Sequence, residues 1–360
     1  MVKIIHGADF HLDSPFDALP PEKAQLRRSE QRKSVMALAE LAQQRESDVV
    51  LLSGDLFDSE NAFYETGQML RDVLGGMKAQ VFIAPGNHDY YSPGSPYRTL
   101  VWPDNVHIFA SSRIQCVELP EINCRVYGGG FVSPAVHHSM LSDFTADRDG
   151  MVNIMVLHGD TAAVTDNYDP ISREDIAASG LDYLALGHIH KFSGILRSGE
   201  TDYAYPGCPE GRGFDETGDK GVIAGTVEKG KTELEFVKTC LRRYVEVQAD
   251  YESLLAGNET VTADADDIVR LTLTGSRDGD CERERVREMF EDSFFHFTLR
   301  DRTVRRRDVW ESAGEDSLKG MFLRDLRESY NASPEEKKKV ILLAAQYGLA
   351  AIDNGEEPQV

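Results

Sequence analysis

Ten polar residues of this sequence stand in five short clusters, each placed directly after an apolar run. The clusters are "ADFH" (Asp9, His11), "GDLFD" (Asp55, Asp58), "GNHD" (Asn87, His88, Asp89), "LHGD" (His158) and "GHIH" (His188, His190). They hold five of the ten histidines of the chain. Imidazole, carboxylate and one amide, with no thiolate, suit Mn²⁺, Fe²⁺ or Zn²⁺ and disfavour a structural zinc of the cysteine type. The ligands are too many for one ion and suit two. A paired site needs a carboxylate shared between the ions, and Asp55, central in the series and at a glycine-lined turn, is the candidate. Gly54, Gly86 and Gly187 each precede a candidate ligand, where glycine permits a sharp turn and close backbone approach. Asp58 and Asp89 read as carboxylates that orient histidines by accepting the other ring N–H. If the chain stays extended, His188 and His190 aim their rings to one side.

The elements that must deliver these groups follow from periodicity. "VKIIHGAD", "DVVLLSGD" and "AQVFIAPGNHD" read as strands. Between them, the segment from Pro21 to Ser47 carries Val35, Leu38, Ala39, Leu41 and Ala42 at helical spacing, and "AFYETGQMLRDVLGGM" carries Phe63, Met69, Leu70 and Val73. This β-α-β-α-β rhythm predicts parallel strands covered on both faces. Further strands are expected at "NIMVLHGD" and "LDYLALGHIH", and hairpins at "IQCVELPEINCRVYGGG" and "DKGVIAGTVEKGKTELEFVKT". In open α/β sheets, ligands gather at the carboxyl ends of strands, which is where all five clusters lie. The expected fold class is a layered α/β sandwich, β-sheets flanked by helices, over residues 1–241. A small α+β domain follows at 242–308, from "IVRLTLTGS", "CERERVREMFEDS" and "FFHFTLRDR", and then a helical tail at 309–360.

Composition bounds the function class. The chain has 360 residues and a formal net charge of −22. That argues against a protein that simply coats nucleic acid, since such coating needs Lys and Arg. It does not exclude an enzyme whose clustered carboxylates hold cations. The N-terminus lacks a long apolar stretch, and no run approaches the length of a membrane span, so no membrane association is expected. Five scattered cysteines without C-x-x-C fit a cytoplasmic setting better than a disulfide framework.

The ordered series D-x-H, GD-x-x-D, GNHD, H and GH-x-H over residues 9–190 resembles the calcineurin-like metallophosphoesterase superfamily. Within it, "GDLFD", "LDYLALGHIHKF" and "YPGCPEGRGFDETGDKG" are similar to the SbcD-type DNA repair exonucleases, the nuclease subunits of SMC-like ATPase complexes. The resemblance implies the metallophosphoesterase sandwich, with 242–308 as a capping domain. It implies two divalent ions, Mn²⁺ first, with Fe²⁺ or Zn²⁺ as alternatives. One would be held by Asp9, His11, Asp55 and His190, the other by Asp55, Asn87, His158 and His188. His88 would stabilise the scissile phosphate or protonate the leaving oxygen, with Asp89 holding its ring. DNA would be the substrate, an SMC-like ATPase subunit of SbcC type the partner, and a homodimer is compatible. Two departures stand out. Asp58 occupies the place of a second active-site histidine in better-known relatives, and Asp13 stands where relatives often carry glycine.

Outside the motifs, His6, His107, His137, His138 and His296 read as structural or surface residues. Arg27, Arg28, Arg32 and Lys33 read as a solvated helix face, and the basic run Arg300 to Asp308 as solvated or phosphate-contacting. The loop "GCPEGRGFDETGDKG" lacks the G-K-[ST] of a P-loop and is expected to shape the mouth of the metal site. Leu318, Phe322 and Leu326 could form an apolar stripe for the ATPase. The leading expectation is a two-metal DNA exonuclease. The rivals are a phosphatase or phosphodiesterase for small nucleotides or phosphoproteins, and a non-catalytic scaffold.

Overall fold

The computed structural model describes residues 1–161, 167–306 and 308–352. Arg307 of the basic run and residues 353–360 of the tail lie outside the described residues. Two compact units divide the chain. The first comprises residues 1–247, 262–270 and 290–298; the second comprises 248–261, 271–289 and the chain from 299 on.

The first unit is built on two six-stranded sheets. In one, β1 (Val2–Gly7), β2 (Val49–Leu52), β3 (Gln80–Ile83) and β4 (Val106–Ile108) run parallel in sequence order. The other contains β5 (Gln115–Leu119), β6 (Cys124–Gly128), β7 (Val152–His158), β8 (Tyr183–Gly187), β9 (Leu196–Ser198) and β10 (Thr201–Ala204) in the order β5-β6-β7-β8-β10-β9. Its central strands β6, β7, β8 and β10 are parallel, and the edge strands β5 and β9 antiparallel. A hairpin of β11 (Gly221–Glu228) and β12 (Lys231–Lys238) completes the first sheet by pairing β11 antiparallel to β1. Both expected hairpins, β5–β6 and β11–β12, are present.

The apolar runs of the strands explain the layers, because strands buried on both faces lose the alternation of a half-wet sheet. Ile4, Val49, Leu51 and Phe82 face Val126, Ile154, Val156 and Tyr183 in a core between the sheets. On the outer face of the first sheet, Ile5, Val50, Leu52, Val81 and Ile83 pack against α1 (Pro21–Gln44) and α2 (Tyr64–Gly75) through Val35, Leu38, Leu70 and Leu74. Pro21 opens α1, a position where the missing N–H is no loss. A short helix, α3 (Pro96–Thr99), is capped by the Ser95 side chain and brings Tyr97 into the same core. On the outer face of the second sheet, Leu157, Leu184 and Leu186 pack with Ile176 of α4 (Arg173–Ala178). Each fully buried Leu or Ile contributes about 1.5–3 kcal/mol relative to exposure.

The helix face of Arg27, Arg28, Arg32 and Lys33 departs from the expected solvated role. Arg27 is fully buried and donates to Glu30, Glu210 and the Gly211 carbonyl. An apolar neighbourhood tolerates such a charge only when it is paired and hydrogen-bonded. Arg27 thereby ties α1 to the loop after β10. Arg28 donates to the Pro15 carbonyl and Arg32 pairs with Asp13, while Lys33 is exposed.

The strands Tyr244–Asp250, Ile268–Thr274 and His296–Asp301 pair in that order. The segment 242–308 therefore contributes residues to each of the two units. In the second unit the helices Leu318–Ala332 and Glu335–Ile352 pack around Ala313, Leu323 and Ala345. The apolar stripe expected on the first of these is interrupted: Leu318 is exposed, but Phe322 and Leu326 lie in the seam between the helices. Gly348 leaves room there for the Phe322 ring. Among the described residues, no helix is long and apolar enough to cross a membrane.

Candidate metal centre

Parallel order within each sheet brings the carboxyl ends of β1, β2 and β3 to one edge and those of β7 and β8 to another, with His158 in register with Gly187. The two edges meet at glycines. A Cβ on Gly187 would overlap the Ser53 carbonyl oxygen, and one on Gly86 would overlap the Asp55 carboxylate. Gly54 has φ +80° and is pressed against His158 and Gly86. Close approach, more than turn formation, is what glycine supplies here.

The candidate ligands themselves leave the extended strand. Asp9, His11 and Asp55 have φ of 54°, 45° and 50°, and His188 has φ 104°. Non-glycine residues adopt this region rarely, and such strain gathers at functional sites. One expectation is corrected by it. Strand β8 ends at Gly187, so His188 and His190 do not aim one way: His188 lies beside His158, with ring centroids 5.3 Å apart, and His190 beside His11, at 4.9 Å.

Among the described residues, three overlapping groups bring candidate ligand atoms within 4.8 Å of one another: Asp9, His11 and His190; Asp9, Asp55 and His158; and His11, Asp58 and His88. Asn87 joins the second through its Oδ1, 3.0 Å from His158 Nε2. His188 stands at the edge of that group, where its ring tilts against Tyr168, while its backbone N–H donates to Asp9 Oδ1 at 3.1 Å.

Protons decide whether these groups suit a cation. His11 Nδ1 faces Asp58 Oδ1 at 3.1 Å, His190 Nδ1 faces Glu216 Oε1 at 2.7 Å, and His158 Nδ1 faces the Ser53 carbonyl at 2.9 Å. Ionised carboxylates and carbonyls only accept, so the neutral rings carry their proton on Nδ1 and leave a lone pair on Nε2. The Nε2 atoms of His11 and His190 then face each other at 3.2 Å, and His158 Nε2 faces Asn87 Oδ1. Lone pairs opposed at such distances fit a cation between them. The charges agree. Burial, and then the charge of Asp55, hold Asp9 well above the usual carboxylate range. For Asp55 burial acts in the same direction, but the imidazoles of His158, His11 and His88 outweigh it and hold its carboxyl low. Burial pulls the imidazoles of His11 and His188 down to about 4, which keeps them neutral as donors. A buried Asp9 carboxyl that resists ionising marks a centre short of positive charge.

Asp89 does not hold the His88 ring. Its fully buried carboxylate accepts N–H groups from Gly86 (2.8 Å), Leu56 (2.7 Å) and Phe57 (3.2 Å), and the Tyr97 hydroxyl. It binds the loop at residues 55–57 to the loop at residues 86–89. The exposed His88 ring instead donates from Nδ1 to the Asp58 carbonyl at 3.1 Å, and the His88 backbone N–H donates to Asp55 Oδ1 at 2.9 Å. Asp13 turns away from the centre, accepting from Arg32, Thr66 and the Phe63 N–H. His6 is buried between Tyr183 and Ser53, and His137 and His138 line an open groove with Arg113 and Ser139.

Two residues at the centre escape motif reading, Arg212 and Glu216. Arg212 Nη1 donates to Asp58 Oδ1 at 3.0 Å and its Nη2 to Glu216 Oε1 at 2.9 Å. The only sequence signal for them is their place in the glycine-rich loop expected at the mouth.

The family model described as calcineurin-like phosphoesterase matches residues 2–192. Over 243 residues the chain is 33% identical to an uncharacterized metallophosphoesterase of Bacillus subtilis, YhaO, covering 64% of this chain and 59% of that one. Over 259 residues it is 26% identical to the SbcD component of the nuclease SbcCD of the same organism, covering 60% and 64%. The chain thus spans between 59% and 64% of the length of these two relatives. The crystal structure of TT1561 of Thermus thermophilus aligns at TM-score 0.38 and 10% identity, over 66% of this chain and 99% of that one.

Proposed function

The chain belongs to the calcineurin-like phosphoesterase family, and from that premise we propose that it hydrolyses phosphodiester bonds of DNA as a two-metal exonuclease. The observation that carries the hydrolytic reading is the pair of opposed imidazoles, His11 Nε2 and His190 Nε2, set among Asp9 and Asp55. Asp9, His11, Asp55 and His190 would hold one divalent ion, and Asp55, Asn87, His158 and His188 the other. When bound, such ions supply positive charge for phosphate oxygens and lower the pKa of water. Mn²⁺ is the metal proposed, with Fe²⁺ and Zn²⁺ as alternatives for the same donor set.

The protein's own residues do the rest. Asp55 accepts the His88 backbone N–H, which holds the His88 backbone beside the carboxylate proposed to be shared. The His88 ring, anchored at Nδ1 by the Asp58 carbonyl, presents Nε2 outward. From there its imidazolium form can donate to a phosphate oxygen or protonate the leaving oxygen, a role for a positioned general acid. Asp89 keeps this loop in place through backbone N–H groups.

The DNA reading is supported by the "GDLFD", "LDYLALGHIHKF" and "YPGCPEGRGFDETGDKG" segments and by the likeness to the SbcD component of nuclease SbcCD. On the same ground an SMC-like ATPase is proposed as partner, the segment 242–308 as a capping domain, and a cytoplasmic setting, with which five unpaired cysteines agree.

The test compares linear duplex DNA, a cyclic nucleotide, a phosphopeptide and an aryl phosphodiester under Mn²⁺, using the wild type and Asp55→Ala. Release of nucleotides from DNA ends by the wild type alone is expected. Turnover of the small substrates with intact DNA would replace the exonuclease reading with that of a small-molecule phosphodiesterase, or of a phosphatase.

A further inference from the structure

The two groups of proposed ligands differ in what stands behind their imidazoles. His190 and His11 back onto carboxylates, Glu216 at 2.7 Å and Asp58 at 3.1 Å. His158 backs onto the Ser53 backbone carbonyl. Arg212 joins the two carboxylates. Its Nη1 donates to Asp58 Oδ1 at 3.0 Å; its Nη2 and Nε donate to Glu216 Oε1 at 2.9 and 3.2 Å; its backbone N–H donates to Glu216 Oε2 at 2.7 Å. Ser14 Oγ adds a bond to Asp58 Oδ1. The carboxylates come from loops 158 residues apart, and the guanidinium fork fixes their separation.

Arg212 Nη2 is also 3.1 Å from His190 Nδ1. A guanidinium only donates. If Glu216 did not accept a hydrogen bond from the Nδ1–H, Arg212 would donate into Nδ1 and the ring proton would move to Nε2. That tautomer has no lone pair to offer an ion. Glu216 therefore selects the ligating tautomer of His190, and Arg212 holds Glu216 where it can do so. An imidazole whose N–H meets a carboxylate is the more basic ligand, and such outer partners change metal affinity by roughly 10–100-fold.

We propose that Glu216 and Arg212 are positioning residues that make the Asp9–His11–His190 group the tighter of two unequal cation sites, loaded before the group at His158. This rests on the two-metal reading above. The test uses the full chain stripped with EDTA and titrated with MnCl₂, followed by calorimetry and by the spin resonance of free Mn²⁺. Wild type is expected to bind in two phases. Glu216→Gln should weaken the tighter phase by about 10–100-fold, Arg212→Lys should weaken it less, and both should leave the second phase in place. Asn87→Ala should weaken the second phase alone. Circular dichroism melts in EDTA report the fold of each variant independently of metal. The proposal is overturned if the wild-type phases are equal, or if folded Glu216→Gln and Arg212→Lys leave the tighter phase unchanged or move both phases together. If Glu216→Gln does not fold, Arg212→Lys decides. A wild type that binds fewer than two ions sinks the two-metal reading itself.

Discussion

His11 Nε2 and His190 Nε2 stand 3.2 Å apart although 179 residues separate them in the chain. Neither ring is free to turn, since Asp58 and Glu216 each engage an Nδ1. His11 follows β1 of one sheet and His190 follows β8 of the other. The distance between the rings is thus a measure of how the two sheets are docked, and changes that disturb the docking should be felt at the centre.

Gly187→Ala tests that link. The added methyl would overlap the Ser53 carbonyl oxygen, a backbone atom that cannot rotate away. Overpacking of this kind costs roughly 1–3 kcal/mol. Urea melts should show that loss, and Mn²⁺ binding should weaken as well, because Ser53 O also positions His158.

His88→Ala should separate ion binding from proton delivery. The His88 backbone N–H still reaches Asp55 in the variant, so the ligand arrangement stays. Loss of a positioned acid lowers rates by roughly 10²–10⁴-fold. The defect should be largest for a substrate with a poor alkoxide leaving group and small for p-nitrophenolate, which needs no proton. Equal defects on both, measured as kcat/KM, would mean that His88 acts on the phosphate oxygens instead.

Asp89→Asn replaces half of a buried acceptor with a donor aimed at backbone N–H groups. Oδ1 accepts the Gly86 N–H and Oδ2 accepts the Leu56 and Phe57 N–H groups and the Tyr97 hydroxyl, so the donors on whichever oxygen is replaced lose their acceptor. A buried donor left unmatched costs about 1–3 kcal/mol. Thermal melts in EDTA should therefore show a destabilisation before any effect on metal is considered. A catalytic role confined to the His88 ring would instead leave the melt unchanged.

Asp169 lies outside the proposed ligand set and predicts a pH dependence of stability. It is fully buried; Oδ1 accepts the Met140 N–H at 2.6 Å, and Oδ2 has no hydrogen bond among the described residues. Burial pushes its carboxyl up to about 7, from an ordinary value of 3.8. Below the ordinary value the group is protonated in both folded and unfolded chains and costs nothing. Between the two values the unfolded chain gives up a proton that the folded chain keeps, so stability falls as pH rises, by at most about 1.4 kcal/mol per pH unit, and levels off above the folded value. Asp169→Asn should remove this component. The difference in urea stability between variant and wild type should grow from about pH 4 to about pH 7 and then stay constant.

Residue type and order alone named the residues that the fold brings together at the candidate centre. Asp9 and Asp55 each follow an apolar strand and His158 ends one, and the parallel β-α-β rhythm places such strand ends on one edge. Gly54, Gly86 and Gly187 were legible for the same reason, because a backbone that must pass close to another leaves no room for a Cβ. These are local statements, and local pattern encodes them. Where each ring points was not local. His188 and His190 share the i, i+2 relation of a strand, yet φ 104° at His188 sends them to different neighbours. Asp89 neighbours His88 in sequence but spends its carboxylate on backbone N–H groups brought from residues 56 and 57. Arg212 and Glu216 carry no spacing that ties them to His190 or Asp58. Buried charges must find partners wherever packing brings them, so only the tertiary structure decided which carboxylate would stand behind each histidine.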